Sequence, residues 1–307
     1  MMENFQKTVS APVTFSGVGL HTGQNSKVTI LPGKENEGVI FKRLDLKKNN
    51  LIKANYKNVS SAKLCTTLEN NYGVKVSTVE HLLAAFYIIG IDNAIIEINC
   101  EEVPIMDGSA KEFLEIFKKT KLITQEAKNF FLRVTEKIEL IDGERHISIE
   151  PNDTNFEVDF QLNYKNKLIG NQRNIVNFQK DNLNEVSESR TFCLYEDIEK
   201  IKKIGLAKGG TLDNAVVVAE DKILNSDGLR NKKEFVNHKI LDLAGDFFLS
   251  GFKITGLVKC YQGGHMLTNM FLRKLLNTKN INVATKESDK IISKKEYNNH
   301  TKLAVNA

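Results

Sequence analysis

The chain has 307 residues, 41% of them hydrophobic, and 43 Lys and Arg against 38 Asp and Glu give a formal net charge of +5. That is enough apolar material for one large domain or two ordinary ones, which excludes a disordered chain. The positive surplus is modest and dispersed, so no nucleic-acid partner is expected, although the charge would suit an anionic small substrate.

Cys65, Cys100, Cys193 and Cys260 show no Cys-x-x-Cys spacing. They suggest neither a disulfide framework nor a thiolate zinc cluster, and a reducing compartment fits them best. Residues Met1 to Thr8 lack an apolar signal-peptide core, and the longest apolar run, Leu82 to Ile91, falls short of the roughly 20 residues of a membrane span. A soluble, cytoplasmic protein without a transmembrane segment is expected, at most peripherally associated with a membrane.

In chain order, Gln6–Thr14, Lys27–Leu31 and Gly38–Lys42 read as strands, with a glycine loop, Ser16-Gly17-Val18-Gly19-Leu20-His21-Thr22-Gly23, after the first. Cys65–Leu68 and Gly73–Val76 read as further strands. The helix from Thr78 to Ile89 is apolar almost all round, hence buried on several sides, and Gly90 stops it. A strand Asn93–Ile98 follows, then a loop through Pro104 and Gly108 and an amphipathic helix Ala110–Lys119.

The second half repeats the plan. Phe130–Leu140, His146–Glu150 and Phe156–Leu162 read as strands. A helix through His238, a stop at Gly251, a strand Lys253–Tyr261, the loop Gly263-Gly264-His265 and a helix to Leu276 come after them. Helix, glycine, strand, glycine loop and helix thus occur once per half, each beginning near a histidine, His81 or His238. Two topologically similar domains are expected to meet at those helix starts: residues 1–126 and 127–277, joined near Glu126–Asn129, with 278–307 as a polar, mobile tail. Tyr195 to Val218 has no first-half counterpart; its Ile198, Ile201, Leu206 and Val217 around Gly210 either close a local core or line a channel.

The chemistry begins with residues 235–248. At 3.6 residues per turn they place His238, Asp242 and Asp246 on one side and Ile240, Leu243, Ala244 and Phe247 on the other. His and Asp four apart can share one metal ion, although an ordinary wet helix face carries the same residues. His81, in Thr78-Val79-Glu80-His81-Leu82-Leu83-Ala84-Ala85-Phe86, supplies a third ligand, and three protein ligands leave a tetrahedral zinc one open position, as catalytic sites do. Glu80 is then the obvious base; alternatively, Ser77-Thr78-Val79-Glu80 is a capping box.

These motifs, together with Pro104-Ile105-Met106-Asp107-Gly108-Ser109-Ala110, Ser189-Arg190-Thr191-Phe192 and the glycine loop at Ser16, run in order from Gln6 to Leu276. They closely resemble the UDP-3-O-acyl-N-acetylglucosamine deacetylases, zinc enzymes of lipid A biosynthesis in Gram-negative bacteria. The resemblance implies an α+β fold of two topologically similar domains, each a mixed β-sheet packed with helices, forming a sandwich with the active site at the interface. It implies hydrolysis of the N-acetyl group of UDP-3-O-[(3R)-hydroxyacyl]-N-acetylglucosamine, giving the 2-amino sugar and acetate.

Carried over by position, the resemblance makes His81, His238 and Asp242 the ligands of one Zn2+, which Fe2+ could replace. Glu80 becomes the base, His265 the cationic acid with Asp246 as its partner, and Thr191 a donor to the carbonyl oxygen. Lys239 is expected to contact substrate, although a solvated helix lysine is the commoner fate. Phe192 and the 195–218 insertion, with Ile198, Ile201, Leu206, Gly210 and Val217, are expected to enclose the uridine-side or acyl groups, the insertion serving as the fatty-acyl passage. Cys65 is either an inert buried thiol or an extra ligand for inhibitory zinc. His21 is a weaker candidate beside the site, His146 and His300 look like surface residues, and a monomer is expected.

Overall fold

The computed structural model describes residues 5–152 and 155–284. In the first half, strands β1 (Phe5–Val9), β2 (Val13–Val18), β3 (Asn25–Pro32), β4 (Val39–Arg43) and β5 (Leu51–Lys53) come first, then the short β6 (Val59–Ser61), β7 (Thr67–Glu69) and β8 (Lys75–Val76). Helix α1 (Glu80–Ile89), β9 (Ala94–Ile98), α2 (Lys111–Lys118) and β10 (Leu122–Lys128) complete it. The main sheet has the order β2-β3-β9-β4-β5, antiparallel except where β9 runs parallel to β4.

The second half contains β11 (Phe131–Val134), β12 (Ile138–Asp142), β13 (Arg145–Glu150), β14 (Phe156–Asn163) and β15 (Asn171–Asn177). After them come α3 (Asn184–Glu188), β16 (Phe192–Leu194), α4 (Tyr195–Lys203), β17 (Val216–Val218), α5 (Glu234–Phe248), β18 (Lys253–Tyr261), α6 (His265–Asn277) and β19 (Ile281–Ala284). The run β12-β13-β18-β14-β15 matches the first sheet strand for strand, again with one parallel pair, β14 with β18. Antiparallel end strands bracket each half, β1 with β10 and β11 with β19. The α+β architecture of two similar halves is therefore as expected.

The bracketing pairs correct the expected edges. Residue 126 falls inside β10, and the segment expected to begin a mobile tail at residue 278 starts with an ordered strand, Ile281–Ala284, paired along β11. Residues 285–307, including His300, lie outside the described residues. The expected strand Gln6–Thr14 is interrupted before Val13, where Pro12 has no N–H to offer a ladder, and Phe130–Leu140 divides into β11 and β12. An insertion between the fifth strand of each repeat and its first helix occurs in both halves, β6-β7-β8 in one and α3 to β17 in the other.

Helices α1 and α5 pack directly on each other within one continuous core. Glu80 to Phe86 are all buried, and Gly90 ends α1 at φ 85° with its N–H on the Phe86 carbonyl, a left-handed C-cap. Gly245 permits the helix contact: a Cβ there would lie 2.1 Å from the Glu80 carbonyl oxygen. The supposedly wet face of α5 is not wet, since Asn237, His238, Asp242 and Asp246 are as buried as Ile240, Leu243 and Phe247. Polar groups so buried need partners.

Candidate metal centre and active site

The first turn of α1 carries Glu80 and His81, and the middle of α5 brings His238 and Asp242 against them. One ligand atom each from His81, His238 and Asp242 lies within 4.8 Å of the others. Both imidazole Nε2 atoms are 3.4 Å from Asp242 Oδ1, and the two rings meet edge to face with centroids 5.0 Å apart. Asp242 Oδ1 is buried with no hydrogen-bond donor, an arrangement a cation would satisfy. His238 Nδ1 lies 3.1 Å from the Ser189 carbonyl, so an N–H there leaves the Nε2 lone pair facing the cluster. Burial, against the pull of Asp242, holds the His238 pKa down to about 3, which keeps the ring neutral as a ligand must be. Burial would raise the Asp242 pKa, but His238, Lys239 and His265 around it hold the carboxylate well below its usual range. Two imidazoles and one carboxylate suit a divalent ion of zinc's kind.

Glu80 is not a capping residue. The α1 N-cap, Val79, has no side-chain hydrogen bond, and Glu80 Oε2 instead accepts from the Thr66 N–H at 3.0 Å. Its pKa is raised, chiefly by burial, against the pull of His265 and His81. His265, at the start of α6, donates from Nδ1 to Asp246 Oδ2 at 2.8 Å and turns Nε2 toward Glu80 Oε1 at 3.6 Å. Burial would lower its pKa, but Asp246, Glu80 and Asp242 overcome this and hold it at about 10, so the ring is a cation at neutral pH. One pocket is lined by Glu80, His81, Thr191, His238, Lys239, Asp242 and His265. A larger cleft of about 350 Å³, lined by residues such as Lys53, Tyr56, Tyr87, Asp92 and Lys253, contains none of these groups.

Lys239 is not a solvated helix lysine. Its Nζ donates to Asp242 Oδ2 at 2.9 Å and lies 5.5 Å from the centroid of the Phe192 ring, which packs on Phe235. Along the insertion, helix α4 buries none of its residues: Ile198, Ile201 and Leu206 are half-buried, Gly210 is exposed and Val217 is buried in β17. A closed local core is thereby excluded for α4. None of these five residues lines the pocket around the ligands. Cys65 is a buried thiol whose pKa is pushed up to about 12 by burial and by Glu80, and His146 is exposed.

Three further groups support the site. Thr66 touches two of the three carboxylates around His265, its N–H on Glu80 and its hydroxyl on Asp246 Oδ1 at 2.7 Å. The wholly buried Arg190 bonds through Nε to Glu234 at 2.8 Å, fixing Thr191 relative to the first turn of α5. Glu102 is a third, buried between the glycine loop and Thr78. Thr66 was hidden beside Cys65, whereas the acid pair Glu101-Glu102 reads as surface until the loop closes on it.

The profile of the family described as LpxC, UDP-3-O-acyl N-acetylglycosamine deacetylase, matches residues 6–277. A UDP-3-O-acyl-N-acetylglucosamine deacetylase of Haemophilus ducreyi is 39% identical over 278 residues, covering 90% of this chain and 91% of the relative. Proteins of the same name from Pseudoalteromonas translucida and Saccharophagus degradans are 40% and 41% identical, covering 89% and 93% of this chain and 91% and 95% of their own. With the motifs, the repeated fold and these matches in agreement, the chain belongs to the LpxC family of UDP-3-O-acyl N-acetylglycosamine deacetylases.

Proposed function

We propose that this protein hydrolyses the acetamide of UDP-3-O-[(3R)-hydroxyacyl]-N-acetylglucosamine at the seam between α1 and α5, releasing acetate and the 2-amino sugar in lipid A biosynthesis. The observation that carries the assignment of residues is the convergence of His81, His238 and Asp242 in a pocket shared with Glu80 and His265. Those three would hold one Zn2+, which when bound polarises a carbonyl and lowers the pKa of water.

Glu80 takes the proton of the attacking water as its oxygen bonds to the acetyl carbon; the Thr66 N–H on Oε2 leaves Oε1 facing the pocket. Thr191 donates its hydroxyl, and His265 its positive charge, to the oxygen on which negative charge develops. As the C–N bond breaks, His265 gives its Nε2 proton to the sugar amine while Asp246 retains Nδ1. Lys239 and Phe192 flank the metal end of the substrate, and Ile198, Ile201, Leu206, Gly210 and Val217 form the acyl-side wall. A monomer working in the cytoplasm completes the proposal; no described helix is long and apolar enough to cross a membrane.

The test is acetate release by purified protein before and after chelation, with zinc restored stepwise. Activity should vanish with the metal and return at about one ion per chain, as an open three-ligand site requires. Metal-loaded protein that released no acetate from this substrate would refute the assignment.

A further inference from the structure

Glu102 has no side chain exposed to solvent, stands outside the ligand cluster, and nevertheless accepts four hydrogen bonds. Oε1 takes the His21 N–H at 2.8 Å and the Thr78 hydroxyl at 2.9 Å; Oε2 takes the Thr22 N–H and the Thr22 hydroxyl, both at 2.7 Å. Each oxygen therefore meets a backbone N–H that cannot reverse its direction. An amide in place of the carboxylate would set its NH2 against one of them in either orientation. Gly19 is cut to the same shape, since a Cβ there would lie 2.4 Å from Glu102 Oε2.

The loop gripped in this way supports the insertion from the other half. The Gly209 N–H donates to the Leu20 carbonyl at 3.0 Å, and the Lys208 N–H to the His21 carbonyl at 3.3 Å. Gly209 fits so closely that a Cβ would lie 2.3 Å from the Gly19 carbonyl oxygen, and Gly23, at φ 69°, would bring one to 3.2 Å from Lys208. Within the insertion the stretch is held by Asn214 Nδ2 on the Gly209 carbonyl at 3.0 Å, whereas α4 buries none of its own residues. On its other side Glu102 holds Thr78, whose φ of 56° is a strained value for a β-branched residue, two positions before Glu80.

We propose that Glu102 is a positioning residue that fixes the glycine loop as the seat of residues 207–210 and thereby sets the enzyme's preference for the 3-O-acyl chain. This rests on the acyl-side role proposed above for residues 195–218. The test uses zinc-loaded Glu102→Gln, with Thr22→Val as a milder variant that keeps the carboxylate and Thr22→Ser as the conservative control. Two quantities are read: amide hydrogen exchange of residues 207–210, and the ratio of kcat/KM for substrates with and without the 3-O-acyl chain.

Glu102→Gln should speed that exchange and lower the ratio, each by about tenfold or more, at unchanged metal content, since one backbone N–H is left facing an NH2 and the remaining contacts lose their charge assistance. Thr22→Val should do the same to a smaller degree and Thr22→Ser should match wild type. Wild-type exchange at 207–210, or an equal fall in kcat/KM for both substrates, overturns the proposal. A wild-type enzyme indifferent to the acyl chain overturns the acyl-side role itself, a failure visible before any variant is compared.

Discussion

Asp246→Asn tests the acid–base arrangement with little change of shape. Burial alone would lower the His265 pKa, yet Asp246, Glu80 and Asp242 hold it at about 10, and Asp246, at 2.8 Å from Nδ1, is the largest contributor among them. Unit charges about 4 Å apart at an effective dielectric of roughly 20 attract by about 4 kcal/mol, or about three pKa units. Removing the Asp246 charge should therefore bring His265 back near its ordinary value of about 6.5. In the metal-loaded enzyme the alkaline limb of kcat/KM should move toward neutrality, and at pH about 9 the rate should fall roughly 100-fold, as expected for an acid that is mostly deprotonated. Metal analysis should show unchanged occupancy, because Asp246 is not among the proposed ligands. Stability follows the same group. A folded-state pKa raised above the unfolded one contributes stability that is fully present below pH about 6.5 and lost as pH rises through about 10, so wild type should lose stability over that window and the variant much less. An unmoved alkaline limb, with kcat within about threefold of wild type, would refute the assignment of His265 as the acid supported by Asp246.

Gly245→Ala adds one methyl group between α1 and α5, 2.1 Å from the Glu80 carbonyl oxygen, and backbone cannot yield as a side chain can. It should cost about 1–3 kcal/mol in denaturant unfolding and lower kcat by displacing Glu80; wild-type values for both would mean that the helices are not in this contact. Cys65, with a thiol pKa of about 12, should be alkylated by iodoacetamide at neutral pH roughly 10³-fold more slowly than in the unfolded chain. Cys65→Ala should likewise leave any inhibition by excess zinc unchanged, and relief of that inhibition would make the thiol a zinc ligand after all.

What the sequence made legible was whatever is local. The four-residue spacing of His238 and Asp242, the Glu80-His81 pair and the glycine stops at Gly90 and Gly251 each declare themselves within two helical turns, and the structure brings the first four residues together. The other features depend on partners far along the chain. Strand β19 shows only Ile281 and Val283 among Lys and Asn, and its register is supplied by β11, about 150 residues earlier. The polar face of α5 reads as solvent-facing because a wet face and a ligand face use the same residues, and only α1 lying across it distinguishes them. Glu102 and Thr66 were missed for the same reason: a carboxylate or hydroxyl acquires its meaning from the donors and acceptors that tertiary structure brings to it.

That dependence on distant partners also explains why two similar halves can make the single active site proposed above. The first half contributes Glu80 and His81 and, through Thr66, the hydrogen bond that holds Asp246; the second contributes His238, Asp242, His265 and Thr191. Neither repeat alone supplies all three proposed ligand residues, and only together do they place Glu80, Asp242 and Asp246 around His265. Since Asp242 Oδ1 is left buried without a donor where α5 meets α1, a bound cation would stabilise the docking of the halves as well as the chemistry. A cation held by the proposed ligands would thus offset the cost of the buried polar seam and couple metal loading to the docking of the two halves.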